Sequence, residues 1–183
     1  MRIYTRRGDD GTTGLFHGGR VAKDAAGPEA YGAVDEAVSA LGIARAAATD
    51  DLAAEILVIQ RQLFVVAAEL ATNPAKRDLL ENGVSRVSQP MIDGLEDRID
   101  AVVAGRGMPT EFIVPGGDPV GAAIDVARST VRRAERRAVT LEGESGATGS
   151  LVVAYLNRLA DYLYMLARSV EGEWTPSRGG PDG

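Results

Sequence analysis

The sequence predicts an all-α protein, a five-helix bundle entered through a glycine-rich N-terminal segment. Three observations carry that expectation: five stretches repeat apolar residues at steps of three and four, no stretch alternates at period two, and the connections are short. Each predicted helix has an apolar face that only another element can cover, so the 183 residues read as one domain. Within it, residues 1–24 are the N-terminal segment, 25–172 the bundle and 173–183 a flexible tail.

The opening segment, IYTRRGDDGTTGLFHGGRVAKD, residues 3 to 24, has no hydrophobic period. Gly8, Gly11 and Gly14 stand among Thr5, Thr12 and Thr13, so backbone N–H groups and hydroxyls can converge on phosphate oxygens, with Lys23 and the arginines supplying charge. It lacks the GxxxxGK[ST] pattern of a Walker loop, and on composition alone a mobile terminus is the commoner reading.

The first helix follows in PEAYGAVDEAVSALGIARAAA, with Pro28 in its first turn and Tyr31, Val34, Val38 and Leu41 as its stripe. The second, DDLAAEILVIQRQLFVVAAELAT, opens with Asp50 and Asp51 where the helix dipole favours negative charge, and repeats Leu52, Ile56, Ile59, Leu63, Val66 and Leu70. Residues 72 to 87 lose the period around Pro74 and Gly83 and read as a connection. In the third helix Ser88 is the expected cap, Ile92, Leu95, Ile99 and Val102 the apolar stripe, and Gly105 the stop.

EFIVPGGDP is too short and broken for a helix, and its Asp118–Pro119 pair signals the start of the fourth, which runs to about Leu141. The apolar side there is Val120, Ala123, Ala127, Val131, Ala134, Ala138 and Leu141, small residues that imply close backbone approach. The fifth, SLVVAYLNRLADYLYMLARSV, uses Leu151, Tyr155, Leu159, Tyr162, Leu166 and Val170, and EGEWTPSRGGPDG beyond it reads as disordered.

Composition narrows the chemistry. A formal net charge of −6 argues against a protein that coats nucleic acid, since that affinity comes from neutralising phosphates with Lys and Arg. The absence of cysteine excludes a disulfide framework, a thiolate zinc site and a cysteine nucleophile. The single histidine, His17, lacks the partners of a triad or a multi-histidine metal site and reads as a loop residue. No apolar leader with a cleavage site and no run of bilayer-spanning length is present, so a cytoplasmic chain without a membrane partner is expected.

Two polar helix faces remain. On the fourth helix Asp125, Arg128, Arg132, Glu135 and Arg136 fall within one face opposite the alanine stripe; on the fifth, Asn157, Asp161, Tyr164 and Arg168 gather away from the leucines. Spacing alone favours solvated faces laced with local ion pairs. Asn157 and Tyr164 strain that reading, because Glu and Lys serve a plain solvent face better, and they make a partner surface plausible.

Six ordered blocks together resemble the PduO-type ATP:cob(I)alamin adenosyltransferases: IYTRRGDDGTTGLF with GGRVAKD, EAYGAVDEAVSALG, QRQLFVVAAELAT, EFIVPGGDP, VARSTVRRAERRAV and YLNRLADYLYMLAR. The resemblance runs through residues 3 to 168. It implies an up-down, ferritin-like bundle assembled as a homotrimer, with an active site at each subunit interface and ATP wrapped by the N-terminal segment. By matching position, Thr5, Gly8, Asp9, Gly11, Thr12, Thr13 and Lys23 contact ATP, with Arg132, Glu135 and Asn157; Arg133 belongs to the same motif. Arg128 matches an arginine that pairs across the interface with an aspartate, here Asp35, and Phe112 matches the aromatic that lies under the corrin ring.

The resemblance also implies the chemistry. Cob(I)alamin attacks the ribose C5′ carbon of ATP and expels triphosphate, so the protein needs no nucleophile, only alignment and charge stabilisation by Arg132, Lys23, loop N–H groups and Mg²⁺. Phe112 helps displace the lower axial ligand, leaving a four-coordinate cob(II)alamin for a partner reductase, and the product serves an adenosylcobalamin-dependent client enzyme. Where the family commonly reads TGDKGTTS this chain reads RGDDGTTG, with Arg7, Asp10 and Gly14 as the departures. Asp10 stands where lysine is frequent, which keeps a second reading in view: a corrinoid-binding chaperone or sensor with weakened ATP binding and no turnover.

Overall fold

The computed structural model describes residues 3–145 and 149–178. Its frame is five α-helices: α1 (Ala26–Ala47), α2 (Asp50–Leu70), α3 (Gln89–Arg106), α4 (Pro119–Ser145) and α5 (Val152–Val170). α4 packs between α1 and α5, α2 lies against α1, and α3 against α5. This is the expected all-α bundle. One small sheet precedes it, a hairpin of β1 (Thr12–Gly14) and β2 (Arg20–Ala22) paired antiparallel with Thr13 opposite Val21. Strands of three residues are too short to display a period-two alternation, which is why the sequence pattern misses them.

The predicted stripes form the core. Val34 and Leu41 of α1, Ile56, Leu63 and Val66 of α2, Leu95 of α3, and Tyr155, Leu159 and Tyr162 of α5 are fully buried. The α1–α4 contact is made of small side chains, Ala30, Ala33, Ala37 and Ala44 on one helix and Ala127, Ala134 and Ala138 on the other. With nothing beyond Cβ to separate them, the two backbones pack closely. Gly121 extends the same device to α5, because a Cβ there would sit 3.1 Å from the Ala167 carbonyl oxygen.

Helix ends follow the sequence in one place and depart from it in another. Asp118 caps α4 as expected, its Oδ1 accepting from the Val120 and Gly121 amides at 2.7 and 3.0 Å. Ser88 instead makes no side-chain cap on α3; its carbonyl accepts from the Met91 amide. α3 also continues through Gly105 and stops at Gly107, whose φ of 78° is the left-handed conformation that glycine adopts without strain. The connection before α3 is built on a 3₁₀ helix, Pro74–Leu79, and on buried Glu69, which pairs with Arg77 and accepts from the Val87 amide and the Ser150 hydroxyl.

The tail departs from its expected disorder over the residues described. Trp174 Nε1 donates to the Arg168 carbonyl at 3.1 Å, and the amides of Val114 and Ser177 donate to the carbonyls of Thr175 and Phe112. Backbone pairing with a neighbouring loop overrides the polar composition there. Residues 179–183 lie outside the described residues. Among the described residues no helix is long and apolar enough to cross a membrane.

Candidate active site

The loop between α3 and α4, with the C-terminal turns of α3 and the middle turns of α4 and α5, lines an open cavity of about 960 Å³. Ile99 and Val103 of α3, Met108 and Ile113 of the loop and Met165 of α5 give it an apolar wall; Arg128 and Arg132 of α4 and Arg158 and Asp161 of α5 give it a charged one. Phe112 also lines it and is 85% exposed, an aromatic ring offered to solvent on an irregular loop. A concave apolar space with a few convergent charged groups is the usual form of a ligand site. One turn beyond Arg132, Glu135 accepts a hydrogen bond from Asn157 Nδ2 at 3.0 Å, which joins the two polar helix faces.

Behind the charged wall lies a buried ion network. Asp125 Oδ1 accepts from Arg128 Nε at 2.8 Å, while its other oxygen pairs with Arg168, which is fully buried. Arg168 Nε also lies 2.6 Å from Glu171 Oε2, and the guanidinium packs 5.3 Å from the centre of the Tyr164 ring. Burial alone would depress the Arg168 pKa; the carboxylates of Asp125 and Glu171 outweigh it and hold the group above its usual value. This corrects one expectation: Asp125 and Arg168 do not belong to solvated faces. Within its own chain Arg128 is held by Asp125, while the pairing with Asp35 that the resemblance implies would join two copies. Asp35 lies exposed on α1, and Arg133 pairs with Glu36 there.

The N-terminal segment is a separate cluster. Asp10 Oδ1 accepts from the Thr12 amide and hydroxyl at 2.9 and 2.8 Å, an Asx turn that holds the carboxyl below its ordinary pKa, and Gly11 takes a φ of 81° inside it. Arg20 reaches back from β2 to the Thr12 hydroxyl, the Arg7 carbonyl and, at 3.6 Å, Asp10. The Lys23 ammonium lies over Gly8, so close that a Cβ there would meet it at 3.2 Å. The hairpin docks on the bundle through Phe16, whose amide donates to the Ala71 carbonyl and whose carbonyl accepts from the Asn73 amide.

The family model for cobalamin adenosyltransferase matches residues 3–170. The chain belongs to the cobalamin adenosyltransferase family. It is 39% identical over 175 residues to the corrinoid adenosyltransferase of Bacillus subtilis, with 93% of this chain and 86% of that one covered. It is 40% identical over 177 residues to a corrinoid adenosyltransferase of Citrobacter freundii, covering 93% and 95%. Among solved structures, a variant of the PduO-type ATP:corrinoid adenosyltransferase from Lactobacillus reuteri, complexed with cobalamin and ATP, matches with a TM-score of 0.85 at 30% identity, over 97% of this chain and 100% of that one.

Against the residues expected of this adenosyltransferase family, one chain assembles two groups and leaves them apart. Phe112, Arg128 and Arg132 line the cavity, with the Glu135–Asn157 pair beside them. Thr5, Gly8, Asp9, Gly11, Thr12, Thr13 and Lys23 lie in and around the hairpin, and none of them lines that cavity. Sequence reasoning missed Arg20 as the brace of the hairpin, and Arg106 and Trp174 beneath the Phe112 loop. A lone tryptophan in an otherwise polar tail was the available signal for the last of these.

Proposed function

We propose that this chain transfers the 5′-deoxyadenosyl group of ATP to the cobalt of cob(I)alamin, forming adenosylcobalamin and releasing triphosphate. The observation that carries the reading is the cavity, which combines an apolar wall, an exposed Phe112 and three arginines in a chain of this family. The cobalt–carbon bond forms as the C5′–O5′ bond breaks, and the bonding electrons leave with triphosphate. Cobalt supplies the nucleophile, so the protein's task is to align the reactants and to stabilise charge on the leaving group. Arg132 is suited to the second part, Phe112 to packing against a flat macrocycle, and Arg128, held by Asp125, to fixing the wall between them.

The hairpin supplies the nucleotide side: Thr5, Thr12, Thr13, Lys23 and the amides around Gly8 and Gly11 offer donors to a polyphosphate. Because these residues and the cavity are separate within one chain, a homotrimer with each site shared between neighbours fits the arrangement, and Asp35 is then free to reach Arg128 of a second copy. Exposed Ile43 on α1 and Val126 and Val139 on α4 are apolar side chains that such an assembly would cover. Mg²⁺ would arrive on the nucleotide; among the described residues no group of three or more acidic or histidine side chains forms a cage, and this ion is commonly held by substrate phosphates with one or two carboxylates. The setting proposed is the cytoplasm, with a cob(II)alamin reductase upstream and an adenosylcobalamin-dependent enzyme downstream.

Asp10 was the reason to consider a binder without turnover. Its carboxylate is engaged by Thr12 and faces Arg20, which favours the catalytic reading. The test is an anaerobic absorbance assay with chemically reduced cob(I)alamin, ATP and Mg²⁺. Adenosylcobalamin formed by the native chain and lost in Arg132→Ala supports the proposal; a shifted corrinoid spectrum without product establishes the chaperone or sensor instead.

A further inference from the structure

Phe112 sits on a loop with little to hold it. Among the described residues, the backbone hydrogen bonds made by residues 108–117 are two, and both run to the C-terminal segment: Val114 N–H to Thr175 O at 2.8 Å and Ser177 N–H to Phe112 O at 2.7 Å, flanking an antiparallel bridge between Ile113 and Pro176. The segment has an anchor of its own. Half-buried Trp174 donates Nε1–H to the Arg168 carbonyl at 3.1 Å, and the Arg106 guanidinium lies 5.4 Å from its ring centre. Arg106, the last residue of α3, also donates to the carbonyls of Arg168, Glu171 and Gly172, backbone acceptors at the end of α5 that have no intrahelical donor. The ends of α3 and α5 are thereby clamped together, and the strap is pinned to the clamp.

We infer that residues 174–177 form a strap that sets the position of the Phe112 loop for the corrinoid substrate, with Trp174 as its anchor and a positioning residue for the reaction. The inference rests on the transferase reading of the cavity. Trp174 does not line the cavity, so its effect must pass through the loop. That makes the effect selective: the corrinoid meets Phe112, whereas the nucleotide-binding hairpin has no part in the strap.

The experiment uses the full chain and its variants Trp174→Leu, Trp174→Phe and Phe112→Ala, with the double variant Phe112→Ala/Trp174→Leu. Trp174→Leu is expected to raise the KM for corrinoid about tenfold, the factor that 1.4 kcal/mol of lost positioning gives, with the KM for ATP unchanged. Trp174→Phe, which keeps a ring beside Arg106, recovers part of the loss. In the Phe112→Ala background, Trp174→Leu adds no further loss, because the group being positioned is gone. An equal rise in both KM values, or full additivity with Phe112→Ala, overturns the proposal and makes the strap a stability element. If the native chain yields no adenosylated product, the transferase reading fails by itself. Amide hydrogen exchange at Val114 and Ser177 then decides the strap: faster exchange in Trp174→Leu supports it, and unchanged exchange overturns it.

Discussion

The two polar regions of the chain use charge in opposite ways. In the hairpin, Asp10 and Arg20 are exposed and held by short local bonds to Thr12 and the Arg7 carbonyl, and exposed Lys23 lies over Gly8. At the α4–α5 end, Asp125, Arg168 and Glu171 are buried and hold one another, and only the outermost member, Arg128, reaches the cavity. The contrast teaches a division of labour. An exposed loop can reshape around a flexible ligand at small cost to the fold, whereas the cavity wall is fixed by charges that cannot move without unfolding their surroundings. Stability is therefore expected to answer to the second region and nucleotide affinity to the first.

The strongest test of that division is Arg168→Leu. Removing Arg168 leaves the buried Glu171 carboxylate without its partner and Asp125 with Arg128 alone, an expected loss of about 3–5 kcal/mol in denaturant unfolding. An unfolding midpoint close to that of the native chain would erase the distinction between the two regions. Asp125→Asn is the gentler version. It keeps the shape but takes a charge from both Arg128 and Arg168, with an expected cost of about 1–3 kcal/mol. It is also expected to lower kcat with little change in the KM for ATP, because Arg128 loses its brace; a selective rise in the ATP constant instead would move Arg128 to the nucleotide side.

The bundle was legible because its signal is repeated many times: Ile56, Ile59, Leu63, Val66 and Leu70 make the same statement about one face of α2, and each is buried. Asp118 was legible because a cap is a local device. The buried ion network was not. Asp125 and Arg168 stand 43 positions apart, and helical spacing places each on a face without saying what lies over that face. The motif blocks brought Phe112, Arg128, Arg132, Glu135 and Asn157 to notice as members of a family pattern, while the geometry adds the side chains and backbone that support them. Trp174 was hidden for a related reason, since backbone pairing to residues 112–114 leaves no periodic trace in either segment.

In the hairpin the expected effects are smaller and fall on ATP. Arg20→Ala removes the brace from Thr12, the Arg7 carbonyl and Asp10 together, so the KM for ATP is expected to rise about tenfold, the scale of one lost network of hydrogen bonds to a charged group. The corrinoid constant and the unfolding midpoint stay where they were. A lowered midpoint in this variant would show that the hairpin carries part of the fold's stability and would weaken the comparison at its other end.

The finest test separates side chain from backbone. Gly11 has a φ of 81°, and a Cβ built there meets nothing within 4 Å, so any penalty for a substitution is conformational and not steric. Alanine is expected to cost about 1 kcal/mol locally because the left-handed region crowds its Cβ against its own carbonyl, while asparagine tolerates that region better. The affinity for ATP should then fall in the order native, Gly11→Asn, Gly11→Ala, with a few-fold step at most, read by nucleotide titration of the folded chain. Equal losses for the two variants would mean that space for the nucleotide, and not the handedness of the loop, is what glycine provides at this position.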